Sequence, residues 1–138
     1  MNLFPMIQPR SAQRAAELPI PVEVKWDYKT DTPVWRYGLP VTVTGAEAVL
    51  VWAWKALHVP RYRYEIYTWD YGNECEALIG QQYTDELKRA EAIRYVKECL
   101  LVNPYIEDVG DIEVEFADGL LSIRCRLTTI YGEVTVDV

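Results

Sequence analysis

Apolar and polar positions alternate with a period of two in several stretches of this chain and recur at helical spacing in two others. The first pattern marks strands with one buried face, the second marks helices. Val22, Val24 and Trp26 share one face of a predicted strand over residues 22–28. Residues 34–37 and 41–43 are shorter strand candidates between the turn signals Asp31-Thr32-Pro33 and Gly38-Leu39-Pro40. From Pro60, Tyr62, Tyr64 and Ile66 alternate with Arg61, Arg63 and Glu65 in a further strand, which Trp69-Asp70-Tyr71-Gly72 breaks as a turn. Near the C terminus, Ile112, Val114 and Phe116 alternate with Glu113 and Glu115. Leu121, Ile123, Cys125 and Leu127 alternate with Ser122, Arg124 and Arg126, and Val134, Val136 and Val138 finish in the same pattern. Asp118-Gly119 and Tyr131-Gly132 supply the turns of a β-meander, whose acidic and basic outer positions can pair across strands.

Helical spacing covers residues 45–57 and the stretch after Thr84. Thr44 and Glu47 have the spacing of a capping box, so the first helix is expected to begin at Thr44. Val49, Leu50, Val51, Trp52, Trp54 and Leu57 make it apolar nearly all round, with Lys55 the main interruption. A surface helix needs only one apolar stripe. One face is therefore expected in the core and another against a partner. Pro60 ends this helix. Residues 73–79 read as a short helical turn closed by Gly80. Thr84 caps the second long helix, with Asp85 and Glu86 in its first turn as the helix dipole prefers. Leu87, Ala90, Ile93, Val96 and Leu100 form its stripe, and Asn103-Pro104 stops it.

These elements add up to an α+β fold: a mainly antiparallel sheet, two long helices and a C-terminal β-meander. Residues 1–21, broken by Pro5, Pro9, Pro19 and Pro21, read as an extended arm, with room for two helical turns after Ser11. Residues 22–138 read as one domain, a size that supports a moderate core. Because Val134, Val136 and Val138 are still in strand pattern, either a sheet edge or a strand for another subunit is expected there.

Composition narrows the partners. Half the residues are hydrophobic, and five Trp and ten Tyr supply the large rings that dominate cores and interfaces. The net charge of −7 argues against nucleic acid. It is unevenly spread: residues 1–69 carry +2 and residues 70–138 carry −9, which reads either as a solvated acidic face or as a bipolar subunit whose ends meet different neighbours. Cys75, Cys99 and Cys125 are odd in number and widely spaced, so neither a disulfide framework nor a zinc site is expected. No secretory leader and no membrane span are expected, since the first residues lack its charge pattern and no apolar run approaches about 18 residues.

Catalytic motifs are sparse. The chain has no G-x-S-x-G, H-E-x-x-H, P-loop or G-x-G-x-x-G pattern. His58, the single histidine, falls in the last turn of the first helix without a carboxylate or cysteine cluster beside it. Asp70, Glu74 and Glu76 around the aromatic turn are the one candidate acid group, and Asp70 with Glu74 is the pair a glycosidase acting on peptidoglycan would use. The expectation is nonetheless a protein without catalytic activity, cofactor or metal.

Several runs in order carry a family likeness: Thr44-Gly45-Ala46-Glu47-Ala48, the Pro60-Arg61-Tyr62-Arg63-Tyr64 strand, the turn ending Trp69-Asp70-Tyr71-Gly72, Leu78-Ile79-Gly80, Asn103-Pro104-Tyr105-Ile106 and Thr129-Ile130-Tyr131-Gly132. The likeness covers about residues 22–138, most of the chain. The chain resembles the short prophage proteins related to the small baseplate wedge subunit of contractile-tailed phages, the lysozyme-like wedge or sheath-initiator family. That resemblance implies a structural part of a phage tail or tailocin-like particle, made in the bacterial cytoplasm and housed in the tail baseplate. Its implied partners are the baseplate wedge proteins and the tail sheath protein, with tube or hub proteins as further candidates, and neither nucleic acid nor membrane. It further implies a start point for sheath assembly by strand exchange. Broader members carry Glu-Pro-Arg after the long helix as a docking motif; the corresponding place reads Asn103-Pro104-Tyr105, which shares the proline. On this reading Arg61, Arg63, Trp69, Tyr71, Pro104 and Tyr105 dock to wedge proteins or form corners, and Val134, Val136 and Val138 lie on the strand that extends the sheath's sheet.

Overall fold

A computed structural model of the chain describes residues 18–59, 71–78, 84–117 and 120–138, without the side chains of Glu76 and Ala77. The expected strand from Pro60, the arm before Leu18, Gly80 and the Asp118-Gly119 turn lie outside the described residues. The fold is α+β, as the alternation and helical spacing predict.

The N-terminal layer is a branched set of short antiparallel pairs. β1 (Val22–Val24) pairs with β6 (Thr42–Thr44), β2 (Trp26–Asp27) with β3 (Thr32–Pro33), and β4 (Trp35–Arg36) with β5 (Leu39–Pro40). They meet at a ring of three backbone hydrogen bonds. Lys25 N–H donates to Val41 O at 2.7 Å, Val41 N–H to Val34 O at 2.9 Å, and Val34 N–H to Lys25 O at 2.9 Å. The single strand expected over residues 22–28 is thus broken at Lys25, because the chain exchanges one pairing partner for another there.

Residues 38–40 were a turn signal, but the turn itself is Tyr37-Gly38. Both central residues have positive φ (53° and 76°), which is the two-residue type I′ hairpin loop. Leu39-Pro40 is its returning strand. Strand alternation puts Pro40 opposite Trp35 at a position that needs no donor, so the proline is tolerated.

α1 (Ala46–His58) is the centre of the molecule. Its start differs from the expected capping box. Thr44 is still paired with Val22 in the sheet, and the N-cap is Gly45, with no side-chain cap hydrogen bond. Gly45 sits at φ 66°, ψ −136°, a region open in practice to glycine alone. The strand-to-helix corner therefore depends on its missing side chain rather than on a threonine cap.

The all-round apolar character of α1 is used within the chain. Ala48 and Val51 pack on Val43, with Trp26 beside them. Trp54 meets Trp26 and Tyr28 at ring distances of 6.3 and 5.4 Å. The opposite side, Val49, Ala53, Ala56 and Leu57, enters the main core with Val96, Cys99, Leu100, Ile123, Leu127 and Val136. The face expected against a partner is covered by the chain's own N-terminal layer.

α2 (Asp85–Leu101) begins as predicted, with Thr84 Oγ1 accepting from Leu87 N–H at 3.3 Å. Its buried stripe is rotated from the expected one. Ala92, Val96, Cys99 and Leu100 face inward, while Leu87 and Ala90 are exposed. Val96 and Leu100 of the expected stripe are fully buried there, joined by the small Ala92 and Cys99, with Ile93 half-buried beside them. The expected short helical turn is a 3₁₀ turn, Cys75–Leu78, against α2.

The predicted meander is a three-stranded antiparallel sheet in the order β7-β8-β9: β7 (Ile106–Ala117), β8 (Leu120–Thr129) and β9 (Gly132–Asp137). One face holds Val109, Val114, Ile123, Cys125, Leu127 and Val136 against the helices. A bulge interrupts β7, where Asp111 and Ile112 together oppose Cys125 and Asp111 adopts φ 49°.

Candidate interaction surfaces

β9 pairs with β8 and has no second partner among the described residues. Val136 is 1% exposed in the main core, with Val134 and Val138 half-buried against it. The three valines expected on a partner-facing strand do lie together on one face, and that face is turned inward. What the strand presents at its edge is main chain. Val138 and Ile123 exchange both backbone hydrogen bonds, at 2.8 and 3.0 Å. Antiparallel alternation then directs the N–H and C=O groups of Val136 and Val134 toward β8, and those of Asp137, Thr135 and Glu133 outward.

A second site is the corner after α2. Asn103 is buried, and its Oδ1 accepts from Tyr105 N–H at 2.8 Å. Pro104 is half-buried. Tyr105 ties three parts of the chain together. Its hydroxyl donates to Pro19 O, its carbonyl accepts from Ile130 N–H at 3.1 Å, and its ring stacks on Tyr131 at 6.2 Å. Tyr71 is half-buried with its ring edge-on to Trp52 at 5.9 Å. Both tyrosines are thus built into corners. Arg61, Arg63, Trp69 and the acid candidate Asp70 lie outside the described residues.

The sequence profile of the contractile injection system sheath initiator family matches residues 22–132, most of the folded part just described. The chain belongs to that family. It is also similar to the phage-like element PBSX protein XkdS of Bacillus subtilis, 31% identical over 138 residues that cover 99% of this chain and 95% of that protein. This sheath initiator is therefore a structural component of a contractile, phage-type tail. The profile match stops at Gly132, the first residue of β9, so the rest of the edge strand lies beyond it.

The outer sheet face of the sheath initiator is polar. Register places Glu113, Arg124 and Asp137 in one row across the three strands. At the bulge, Arg126 pairs with Asp111 at 3.0 Å, and Gly110 opposite leaves room for the guanidinium. The expected cross-strand pairing of opposite charges is met there. Among the described residues no three His, Cys, Asp or Glu side chains cluster as a metal site, and no helix is long and apolar enough to cross a membrane.

Two titrating groups report on burial. Desolvation pushes the Cys75 thiol up to about 12, with the charge of Glu74 adding to it, and the Cys125 thiol up to about 11. All three cysteines are buried and none is in a disulfide. His58 is exposed; its Nδ1 lies 2.7 Å from Trp54 O and its ring 3.8 Å from the Trp54 ring, so it closes the helix end.

Sequence reasoning missed Asn73. This buried side chain donates from Nδ2 to the carbonyls of Ala56, Leu57 and Val59 at 3.1, 2.7 and 3.2 Å. Its Oδ1 accepts from Cys75 N–H at 3.1 Å. It caps the C-terminus of α1 from a distant part of the chain, satisfying carbonyls that a helix end leaves orphaned. Within the sequence Asn73 reads as the first residue of a short helical turn after Gly72; nothing local ties it to residues 56–59.

Proposed function

We propose that this sheath initiator sits in the tail baseplate, docks to the wedge proteins, and starts sheath assembly by lending the edge of β9 to a strand of the sheath protein. The observation that carries the reading is the outward main chain of Glu133, Thr135 and Asp137 on a last strand whose side chains are anchored in the core. Such an edge can be extended through backbone hydrogen bonds alone, and anchoring fixes its register. The wedge contacts fall on the Pro104-Tyr105 corner and Tyr71, with Arg61, Arg63 and Trp69 as further candidates, and the arm of residues 1–21 reaching a tube or hub protein. Tyr105, bonded to Pro19, links the arm's end to that corner.

Deleting the last strand is a poor test, because Val136 belongs to the core. Thr135→Pro is a better one. It removes an outward N–H and leaves the pairing with β8 in place, a position where an edge strand accepts proline. The expected outcome is a chain that enters baseplates, melts within a few degrees of wild type, and no longer supports sheath polymerisation on them. Normal sheath growth on Thr135→Pro baseplates would refute strand addition at this edge.

A further inference from the structure

Among the described residues, the β4–β5 hairpin adds nothing to the buried core. Trp35 is 61% exposed, Leu39 69% and Tyr37 97%. No residue from 34 to 40 joins any of the three buried clusters. The sister hairpin β2–β3 sends Trp26 and Tyr28 onto Trp54, whereas this one sends its rings into solvent.

The hairpin is nevertheless held firmly. Its root is the ring of backbone hydrogen bonds joining Lys25, Val34 and Val41, which in turn rests on the β1–β6 pair. Its tip puts a tyrosine at φ 53°, where Asn, Asp or Gly is the ordinary choice. An aromatic ring in a strained, fully exposed turn gains the fold nothing. Between the two rings, Arg36 is exposed; its backbone pairs with Leu39, and its guanidinium makes no ion pair with a described residue. Trp, Arg and Tyr are the residue types that dominate binding hot spots, and a rigid mount lowers the entropy lost on docking.

We propose that the β4–β5 hairpin is a docking finger for a protein surface that offers an apolar slot bordered by carboxylates. The rings of Trp35 and Tyr37 fill the slot and Arg36 pairs with a carboxylate as it is desolvated. A second copy of this chain does not fit as well. The cavity on its exposed sheet face brings Asp111 and Glu113 beside Ile112, but Arg124 and Arg126 line it too and would repel Arg36. The net charge of −7 opposes an anionic membrane. The site is also distinct from the β9 edge, so one subunit can hold the sheath strand and this partner together.

This inference rests on the chain being a particle component, so the test is made in particles. Tyr37 is replaced by the photo-crosslinker p-benzoylphenylalanine in the producing cell. Contractile particles are purified, irradiated and digested for mass spectrometry. The expected crosslink is to a particle protein other than the sheath protein and other than this chain, within a peptide rich in apolar and acidic residues. Tyr37→Asn, which suits the turn, is expected to melt at the same temperature as wild type or higher. It and Arg36→Glu are each expected to lower the copies per particle about tenfold or more, the loss that removing a hot spot produces. Crosslinking to the sheath, to a second copy, to lipid or to nothing overturns the finger, as do both variants entering particles at wild-type copy number. Absence of the wild-type chain from particles overturns the baseplate reading as well, and the same spectra distinguish the two failures.

Discussion

Three carbonyls at the end of α1 converge on the amide of Asn73. Replacing it with alanine takes the side-chain donor from all three; Val59 O keeps the backbone N–H of residue 73 and Ala56 O that of Val59, so the cost falls chiefly on Leu57 O, a loss of about 1–3 kcal/mol by urea denaturation. Asn73→Asp is expected to cost more at neutral pH, because a carboxylate has no N–H and faces carbonyl oxygens. That excess should shrink as the pH falls and the acid becomes a donor. The cysteines carry the opposite pH signature. An unfolded thiol ionises near pH ~8.5, whereas Cys75 and Cys125 in the fold hold their protons to about 12 and about 11. Between those values the unfolded chain has released protons that the folded chain keeps, so stability is complete below the unfolded value and declines as pH rises toward 11–12. Cys125→Val is expected to flatten this alkaline decline in a series of melts. In the native state at pH 7 all three thiols should resist a thiol reagent, reacting only as the chain unfolds.

At the scale of the element, the positions that matter most are turns rather than stripes. Gly45 brings β6 into α1 at a backbone angle that a side chain strains, so Gly45→Ala is expected to lower stability by about 1–3 kcal/mol in equilibrium unfolding. Tyr37→Asn is the reverse case, relieving a left-handed tyrosine and adding about 0.5–1 kcal/mol. A turn that the fold would improve by changing is one retained for another purpose, which is the element-scale argument for the finger. Between these turns, the short pairs of the N-terminal layer are stabilised by their junction and by what α1 offers them. The β2–β3 loop adds Asp27, whose carboxylate accepts from Lys29 and Thr30 N–H and is held below the usual carboxylate range by those bonds. Its contribution is present above the unfolded value and fades as pH drops through the folded one.

For the whole molecule, α1 is shared by two unequal partners. The meander and α2 give it the large cluster, and the N-terminal layer gives it Val43, Trp26 and Tyr28. Fewer buried apolar contacts mean a smaller opening free energy, so the N-terminal layer should open first. Hydrogen exchange is expected to show β1–β6 amides losing protection at lower urea than those of β8, with α1 protected until the meander goes. Equal protection across both layers would mean that α1 couples them into one cooperative unit. The arrangement suits a subunit that keeps its edge strand on the more stable layer and mounts the hairpin on the other.

Periodicity alone determined the fold class, the three meander strands, the start of α2 at Thr84 and the apolar wrap of α1, because each depends on neighbours two to four residues apart. The family runs placed the chain among sheath-initiator relatives for the same reason: order and spacing survive in a linear text. What tertiary structure decided depends on distance in space. It set which small residues of α2 face the sheet, that the second face of α1 is covered by its own chain, and that the edge valines point inward and leave main chain at the edge. It also recruited Asn73 to a helix end more than a dozen residues earlier, and turned Tyr105 into a tie to Pro19. A side chain's chemistry is written in the sequence, but the orphaned carbonyl or open edge it answers exists only after the chain has packed.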